Sequence, residues 1–360
     1  MRHRFHALCP YFAMFPESFA ETWIDALTRK NDLVLDPFCG RGTLPFQALL
    51  MGRRAIGVDV NEVAYCVSRA KTNAPTLGAV RRRISELEET FDPEVYEVAR
   101  RRMPEFFRVA FTAGTMRQIL FLREKLNWKR SRVDCMLGAL TLGSLHGESE
   151  RSPSFLSNQM PHTISTKPAY SVRFWRKHGF KAPRRDVFDL LRSQAAFRYA
   201  SSPPDGSASI LHMDMRDLPR VGLEEKVRCV ITSPPYFDVT SYQEDQWLRL
   251  WFLGGAPKPE KTRGEERTSD QDRYWRLIAD MWRSLGLVLR RRSDVVVRIG
   301  AVSYAPEKLT RQLQGAALAC GRRVELVSHA VSEIKRRQTD SFRPGARGCR
   351  VEVDCHFAMA

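Results

Sequence analysis

Short apolar runs bounded by turns alternate with helical patterns near both ends of the chain. Residues 33–35 and 55–59 read as buried strands, and helical segments follow them at 44–51 and 62–72. A strand, a glycine turn, a helix and a second strand form the right-handed start of a parallel α/β sheet. The same reading predicts further strands at 208–212, 227–232, 294–299, 324–329 and 351–357, with helices at 243–252, 272–289 and 305–319. The pattern therefore predicts a sheet of about seven strands.

The alternation of strands and helices stops between residues 76 and 205. Residues 151–170 have no hydrophobic periodicity and are predicted to form a loop. Helical spacing of apolar residues dominates the rest of this region, at 85–102, 113–126, 133–145 and 187–198. We therefore expect one domain built from 1–75 and 206–360, interrupted by a largely helical insertion at 76–205.

The net charge of the chain indicates which class of partner it binds. The 58 Lys and Arg residues exceed the 41 Asp and Glu residues, which gives a formal charge of +17. Such an excess indicates a polyanion, either nucleic acid or an anionic membrane. The sequence contains no apolar run long enough to span a membrane and no signal-peptide core. The 8 cysteines form no Cys-x-x-Cys pair, so we expect free thiols, no metal site and a cytoplasmic protein.

A glycine turn at 36–43, Asp-Pro-Phe-Cys-Gly-Arg-Gly-Thr, follows the first strand. Parallel sheets bind ligands at this place, between a strand and the amino end of a helix. Gly40 and Gly42 allow a sharp turn, and Asp59, which ends the next strand, suits the hydroxyls of a ribose. Pro45 stands where a dinucleotide motif needs its third glycine. A nucleoside cofactor without phosphates is therefore favoured, and S-adenosylmethionine fits.

A proline turn at 233–236, Ser-Pro-Pro-Tyr, follows the fourth predicted strand. Two prolines remove two N–H donors, so the nearby carbonyls act as acceptors. Ser233 adds a side-chain oxygen, and Tyr236 adds a flat ring. Acceptors beside an aromatic ring suit a planar base that carries an exocyclic amine.

Together, the motifs at 36–43 and 232–236 resemble those of the DNA amino-methyltransferases, which methylate the exocyclic nitrogen of cytosine or adenine. The similarity extends to four further segments, 11–16, 57–61, 214–219 and 247–254. It implies a Rossmann-like seven-stranded methyltransferase sheet, S-adenosylmethionine as cofactor and DNA as partner. The Ser-Pro-Pro-Tyr form favours N4 of cytosine, often in restriction-modification. N6 of adenine, an RNA (tRNA or rRNA) substrate and a basic binding protein on a degenerate scaffold remain alternatives.

The resemblance also assigns roles to residues. It implies that the catalytic residues are Ser233, Pro234, Pro235 and Tyr236, and that the methyl group is transferred directly to a flipped-out base. Asp59 is expected to hold the ribose, and Asp214 the adenine amino group, with Asp217 as its competitor. The other expected cofactor-binding residues are Phe12, Asp36, Phe38, Gly40, Gly42 and Thr43.

Two basic clusters are the expected nucleic-acid-binding residues: Arg173, Arg176, Lys177, Arg184 and Arg185 in the insertion, and Lys335, Arg336 and Arg337 between the last two strands. We expect both to flank the cleft above Asp36 and Ser233. Residues 219–232 are too few for the target-recognition region that the family often places there, so the insertion is the candidate. Its Ser-Asn-Gln sequence at 157–159 is either a base reader or an ordinary loop.

Two chemical alternatives are excluded or disfavoured by the sequence. A cytosine ring-carbon methyltransferase needs a thiolate, typically in a Pro-Cys pair, and the chain contains no such pair. The histidines show no spacing typical of metal ligands, and His146 is expected to be structural or solvated rather than a ligand.

Overall fold

The computed structural model describes residues 2–11, 15–150, 152–223, 225–237, 242–260, 270–301, 304–334, 349 and 351–360. The chain divides into two compact units. One, the helical unit, comprises Met1–Phe12, Arg69–Pro203 and Tyr242–Thr262. The other, the sheet unit, comprises Ala13–Ser68, Pro204–Ser241 and Arg263–Ala360. The helical unit thus contains most of the expected insertion, together with the amino-terminal residues and the segment that follows the proline turn.

The sheet unit is built on a seven-stranded sheet in the order β3-β2-β1-β4-β5-β7-β6. Its strands are β1 (Leu33–Asp36), β2 (Arg54–Asp59), β3 (Ser209–His212), β4 (Val227–Thr232), β5 (Leu289–Gly300), β6 (Val324–Glu333) and β7 (Val351–Met359). Strands β1 to β5 pair in parallel, whereas β7 pairs antiparallel with both β5 and β6. The predicted Rossmann-like methyltransferase sheet is confirmed.

Helices cover both faces of this sheet, which explains why β1 and β4 are buried along almost their whole length. They are α1 (Glu17–Leu27), α2 (Thr43–Leu50), α3 (Glu62–Thr72), α13 (Gln271–Val288) and α14 (Pro306–Ala317). On one face, Leu35 shares a buried cluster with Trp282 of α13. On the other face, Val34 shares a cluster with Leu44 of α2. Adjacent residues of β1 therefore pack against helices on opposite faces of the sheet, and this packing fixes the position of the strand.

The helical unit contains the remaining helices of the described chain. They are α4 (Leu77–Glu89), α5 (Glu97–Arg102), α6 (Glu105–Ala110), α7 (Ala113–Lys125), α8 (Arg132–Ser144), α9 (Pro168–Lys177), α10 (Val187–Tyr199), α11 (Tyr242–Asp245) and α12 (Trp247–Phe252). The helix predicted at 85–102 is wrong as a single element. Pro93 lacks an N–H and restricts the residue before it, so α4 ends at Glu89 and α5 begins after a short 3₁₀ turn.

Besides the short α6, two helices were not predicted. The first, α1, precedes the sheet and packs Phe19, Ala20 and Ile24 inwards. The second, α9, begins at Pro168, at the end of the segment predicted to be a loop. Proline suits the first turn of a helix, because the N–H that it lacks would have no partner there.

Candidate functional site

The glycine turn lies between β1 and α2 in the sheet unit. Gly40 and Gly42 adopt φ values of 49° and 69°, in the left-handed region that favours glycine. A Cβ atom at Gly42 would lie 2.6 Å from the hydroxyl of Ser68, and that hydroxyl donates a 2.7 Å hydrogen bond to the Gly40 carbonyl. The turn is therefore packed so closely against α3 that position 42 has no room for a side chain.

Asp59 ties the end of β2 to the same turn. Its carboxylate accepts hydrogen bonds from the backbone N–H of Gly40 at 2.9 Å and of Asn61 at 2.8 Å. Burial raises the pKa of Asp59 to about 6, although these hydrogen bonds and the nearby His212 oppose the rise. The predicted ribose-binding carboxylate thus faces the glycine turn, in a half-buried position.

Asp36 links the glycine turn to the proline turn. The Thr232 hydroxyl donates a 2.7 Å hydrogen bond to Asp36 Oδ1, which also accepts from the Phe38 N–H at 3.1 Å. Asp36 is only 1% exposed, and burial raises its pKa to about 7 against the opposing effect of these bonds. Its side chain therefore holds neighbouring residues in place rather than presenting a surface. Of the other predicted residues here, Thr43 is buried and Phe38 is half-buried.

The proline turn follows β4, which is paired in parallel with β1. Ser233 and Pro235 are half-buried, whereas Pro234 and Tyr236 are buried. The Tyr236 hydroxyl donates a 2.7 Å hydrogen bond to Glu352 of β7. Its ring lies against Gly300, where an added Cβ would come within 2.9 Å of ring atom Cε2. Burial, followed by the Glu352 charge, raises the pKa of Tyr236 well above its usual value.

A charged network extends from Glu352 across the sheet. Arg298 of β5 makes two 2.7 Å hydrogen bonds to Asp354 and lies 3.5 Å from Glu352. Its guanidinium also stacks over the ring of Phe19, 4.0 Å from the ring centre. A half-buried, two-pronged pair of this geometry fixes both partners. Tyr236 is therefore held from behind by a chain of side chains on two neighbouring strands.

Asp214, the predicted adenine-binding residue, caps the 3₁₀ helix Met215–Val221. Its carboxylate is engaged by Arg216, with a 2.9 Å hydrogen bond from Nε and a 2.7 Å hydrogen bond from the second guanidinium arm. Partial burial acts to raise the pKa of Asp214, but the bonds from Arg216 outweigh it and lower that pKa. Its competitor Asp217 is paired with Arg220 at 2.6 Å. Arginine therefore already binds both candidate acceptors.

The first predicted basic cluster lies in the helical unit. Arg173, Arg176, Lys177 and Arg184 are exposed, and Arg185 is half-buried. Arg176 forms an ion pair with Glu105. Lys335, Arg336 and Arg337 lie outside the described residues, as does Phe12. The prediction that both clusters flank the cleft stays a prediction.

The structure bears on two expectations about the insertion. Ser157 and Asn158 are 0% and 2% exposed, and the Asn158 amide donates to the Val109 carbonyl, so these two side chains are structural. Gln159 is half-buried, and the base-reader alternative for its amide stays a prediction. His146 is structural, as expected, because it is completely buried and bonded to the Pro161 carbonyl. Among the described residues, no cluster of His, Cys, Asp or Glu has the arrangement of a metal site.

Three contributors were missed by the sequence reasoning. Ser68 and Arg298 carried no motif that pointed to the site. Glu352 did carry a signal, because charged residues alternate with apolar ones along β7 and so share one face of the sheet.

Comparison with known proteins supports part of this picture. A model of the N6/N4 DNA methylase family matches residues 3–69, which contain the glycine turn and Asp59. Residues 3–69 resemble DNA amino-methyltransferases. The type II methyltransferase M.HpaI of Haemophilus parainfluenzae is 42% identical over 53 residues, covering 15% of this chain and 17% of that protein. The orphan methyltransferase M.BamHII of Bacillus amyloliquefaciens is 41% identical over 54 residues, covering 15% and 20%.

The matched segments span about a fifth of the length of these curated relatives. The family match ends at residue 69, well before the proline turn. The family match agrees with the predicted S-adenosylmethionine cofactor. Two solved structures match this chain at low similarity. TrmN from Thermus thermophilus has a TM-score of 0.38 and 11% identity, over 99% of this chain and 52% of that one. The putative RNA methyltransferase PH1948 from Pyrococcus horikoshii has a TM-score of 0.37 and 9% identity, over 99% and 97%. No helix in the described ranges is long and apolar enough to cross a membrane.

Proposed function

We propose that this protein transfers a methyl group from S-adenosylmethionine to the exocyclic amine of a base in DNA, with N4 of cytosine as the preferred target. The hydrogen bond between Thr232 and Asp36 carries this proposal. It joins the glycine turn to the proline turn at the carboxyl ends of adjacent parallel strands, where α/β sheets bind ligands. The match of residues 3–69 to DNA methylases supports the cofactor half of the site.

The residues at the glycine turn suit the cofactor. The first helical N–H groups of α2, at Thr43 and Leu44, have no partner within the helix and so suit a carboxylate. Asp59 keeps acceptor capacity for a ribose hydroxyl, since a carboxylate accepts about four hydrogen bonds and the backbone N–H groups of Gly40, Asn61 and Val60 use three of them. Asp36 acts as a positioning residue beneath the turn. When bound, S-adenosylmethionine would supply the methyl group from its sulfonium.

The adenine end of the cofactor falls to Phe38 and Asp214 in this proposal. Phe38 offers a half-buried ring beside the glycine turn. Asp214 would accept the adenine amino group while Arg216 fixes the direction of its carboxylate.

The proline turn suits the base. Ser233 and the Pro234 carbonyl would accept the two amine hydrogens, which directs the nitrogen lone pair toward the methyl group. A nitrogen–carbon bond then forms as the carbon–sulfur bond breaks, and the amine proton leaves to solvent. Tyr236 and Pro235 would bound the base on one side. Because the Tyr236 ring is held by Glu352, it acts as a fixed wall rather than as a mobile stacking partner.

The charge of +17 supports a nucleic-acid partner. In this proposal two groups of basic residues bind phosphates: the exposed Arg173, Arg176, Lys177 and Arg184 with the half-buried Arg185, and Lys335, Arg336 and Arg337. A base inside a duplex cannot reach the proline turn, so the target base would leave the stack before methylation.

The test is transfer of a labelled methyl group to DNA and to RNA, followed by mass spectrometry of the nucleosides. We expect N4-methylcytosine from DNA, and loss of transfer in Ser233→Ala. The matched control is Ser209→Ala, an exposed serine on β3 of the same unit, which should keep full activity. Label found only in RNA, or only on a ring carbon, would contradict the proposal. N6-methyladenine instead of N4-methylcytosine would show that the target base is adenine and not cytosine.

A further inference from the structure

Helix α9 has one face that fixes it in the helical unit. Ser171, Val172 and Trp175 are buried along this face. Trp175 is 1% exposed, donates a 2.9 Å hydrogen bond to the Gln159 carbonyl and packs its ring 5.5 Å from that of Phe106. The helix is therefore a rigid support for whatever its other face carries.

The other face carries aromatic rings in solvent. Tyr170 is 57% exposed and Phe174, one turn later, is 36% exposed. Their rings are nearly parallel, with centres 6.1 Å apart and planes 21° apart. His178, a further turn along and also exposed, lies 4.4 Å from Phe174. Residues four apart on a helix share one face, so the three rings form a row. We call Tyr170, Phe174 and His178 the aromatic row.

Positive charge flanks this row. Arg173 and Lys177 are exposed on α9, and Lys181 is exposed just beyond it. Residues 167–181 contain no acidic side chain. Arg176, the remaining basic residue of α9, forms an ion pair with Glu105 of α6. The face thus combines solvent-exposed apolar rings with a positive field, which complements an anion that has flat apolar faces.

We propose that the aromatic row binds a nucleic-acid strand whose bases are unpaired. Bases can stack on the exposed rings, while Arg173 and Lys177 contact phosphates. A duplex hides its base faces inside the stack, so the rings give a preference for single strands that charge alone does not give. The inference deepens the proposed function and rests on it, because a base that leaves the stack for methylation unpairs its strand.

Fluorescence anisotropy with a labelled single-stranded oligonucleotide and the matching duplex tests the proposal. The protein should bind the single strand more tightly. Tyr170→Ala with Phe174→Ala should weaken single-strand binding at least about fivefold and leave the salt dependence unchanged, since stacking releases no counterions. Arg173→Ala with Lys177→Ala should instead flatten the salt dependence, by about 0.7 in logarithmic slope for each lost phosphate contact.

The matched control is Phe197→Ala in the same unit. Phe197 is 51% exposed, but Arg4 and Arg198 lie over its ring at 4.5 Å and 5.1 Å, so a base would have to compete with guanidinium groups for this ring. Its removal should leave single-strand binding unchanged. Tyr170→Ala alone serves as a second variant, because Phe174 also contacts Phe180 and supports the local fold. Melting curves check that each variant is folded.

Equal binding of single strand and duplex, or unchanged single-strand binding in the folded double variant, would overturn the inference. So would binding to anionic phospholipid vesicles that the double variant loses while its oligonucleotide binding stays intact. A methyl-transfer assay separates this result from the proposed function. Wild-type protein that binds single strands through these rings but methylates neither DNA nor RNA contradicts the proposed function and supports the aromatic row.

Discussion

The Thr232 hydroxyl donates a hydrogen bond to the Asp36 carboxylate at 2.7 Å, across a sequence separation of 196 residues. Both side chains are buried, at 0% and 1% exposure. The bond connects the ends of β1 and β4, which carry the two motifs of the site. This hydrogen bond offsets part of the free-energy cost of burying the Asp36 carboxylate. Because the same bond joins the two motifs, it couples the stability of the fold to the geometry of the site.

Thr232→Val tests this coupling. The variant keeps the shape of the side chain but leaves Asp36 with the Phe38 N–H as its remaining donor among the contacts described above. We expect unfolding free energy to fall by about 1.5–3 kcal/mol near pH 8, where the carboxylate is charged, and by less at lower pH. Chemical denaturation at several pH values measures this.

Thr141→Val is the matched control for that experiment. Thr141 is also buried, but its hydroxyl donates to the Leu137 carbonyl within α8. The loss of unfolding free energy in Thr141→Val should not change with pH. If Thr232→Val also shows no pH dependence, the bond to Asp36 is not the reason for its effect.

Asp36→Asn tests the raised pKa of Asp36 directly. Folding raises this pKa from about 3.8 to about 7. Between these values the unfolded chain releases a proton that the folded chain keeps, so the wild type loses stability as pH rises through this range. The asparagine removes this dependence and keeps an acceptor oxygen. We expect the difference in unfolding free energy, variant minus wild type, to rise by on the order of 2–4 kcal/mol between about pH 4 and about pH 8.

Thermal melting of both proteins over this pH range is the measurement. Asp59, whose pKa is raised to about 6, remains in both proteins. Because its charge also acts on Asp36, Asp59→Asn and the double variant are melted alongside to separate the two contributions. A difference that stays constant across the range would show that Asp36 titrates at its ordinary value.

The sequence predicted the parts of the site whose signals are local. The glycine turn, Asp59 and the proline turn each follow a short apolar strand, and their residue types constrain the backbone directly. The environment of Tyr236 could not be predicted in this way, because its partner Glu352 is 116 residues distant. Similarly, α9 was missed because exposed rings at Tyr170 and Phe174 obscure its apolar period. The burial of Asn158 depends on a contact with Val109, for which the sequence carries no sign.

Gly42→Ala tests the packing of the glycine turn. The added methyl group would lie 2.6 Å from the Ser68 hydroxyl, in a backbone conformation that alanine disfavours. We expect loss of S-adenosylmethionine binding by calorimetry and a stability loss of about 2–4 kcal/mol. Gly206→Ala is the control: its φ is 81°, but no atom lies within 4 Å of the added group. It should lose about 1 kcal/mol and keep cofactor binding. Equal effects at the two positions would show that backbone strain alone matters.

Tyr236→Phe tests whether the hydrogen bond to Glu352 must fix the Tyr236 ring for the ring to bound the target base. The variant keeps the ring but loses the hydrogen bond to Glu352. If Glu352 fixes the ring for catalysis, kcat should fall and stability should drop by about 1–2 kcal/mol. Glu352→Gln keeps an acceptor for the hydroxyl, so its kcat should fall less. Steady-state kinetics with DNA measures both. Wild-type kcat in Tyr236→Phe would show that the ring acts without its hydroxyl.

The most direct test of the proposed site is a comparison of tritium-labelled methyl transfer to DNA by the wild type, Asp59→Ala and Ser233→Ala, with cofactor affinity measured by calorimetry in parallel. We predict that the wild type labels DNA. Asp59→Ala should lose cofactor affinity, whereas Ser233→Ala should bind the cofactor normally and lose transfer. Full transfer in both variants, or no cofactor binding by the wild type, would contradict a site built from the glycine turn and the proline turn.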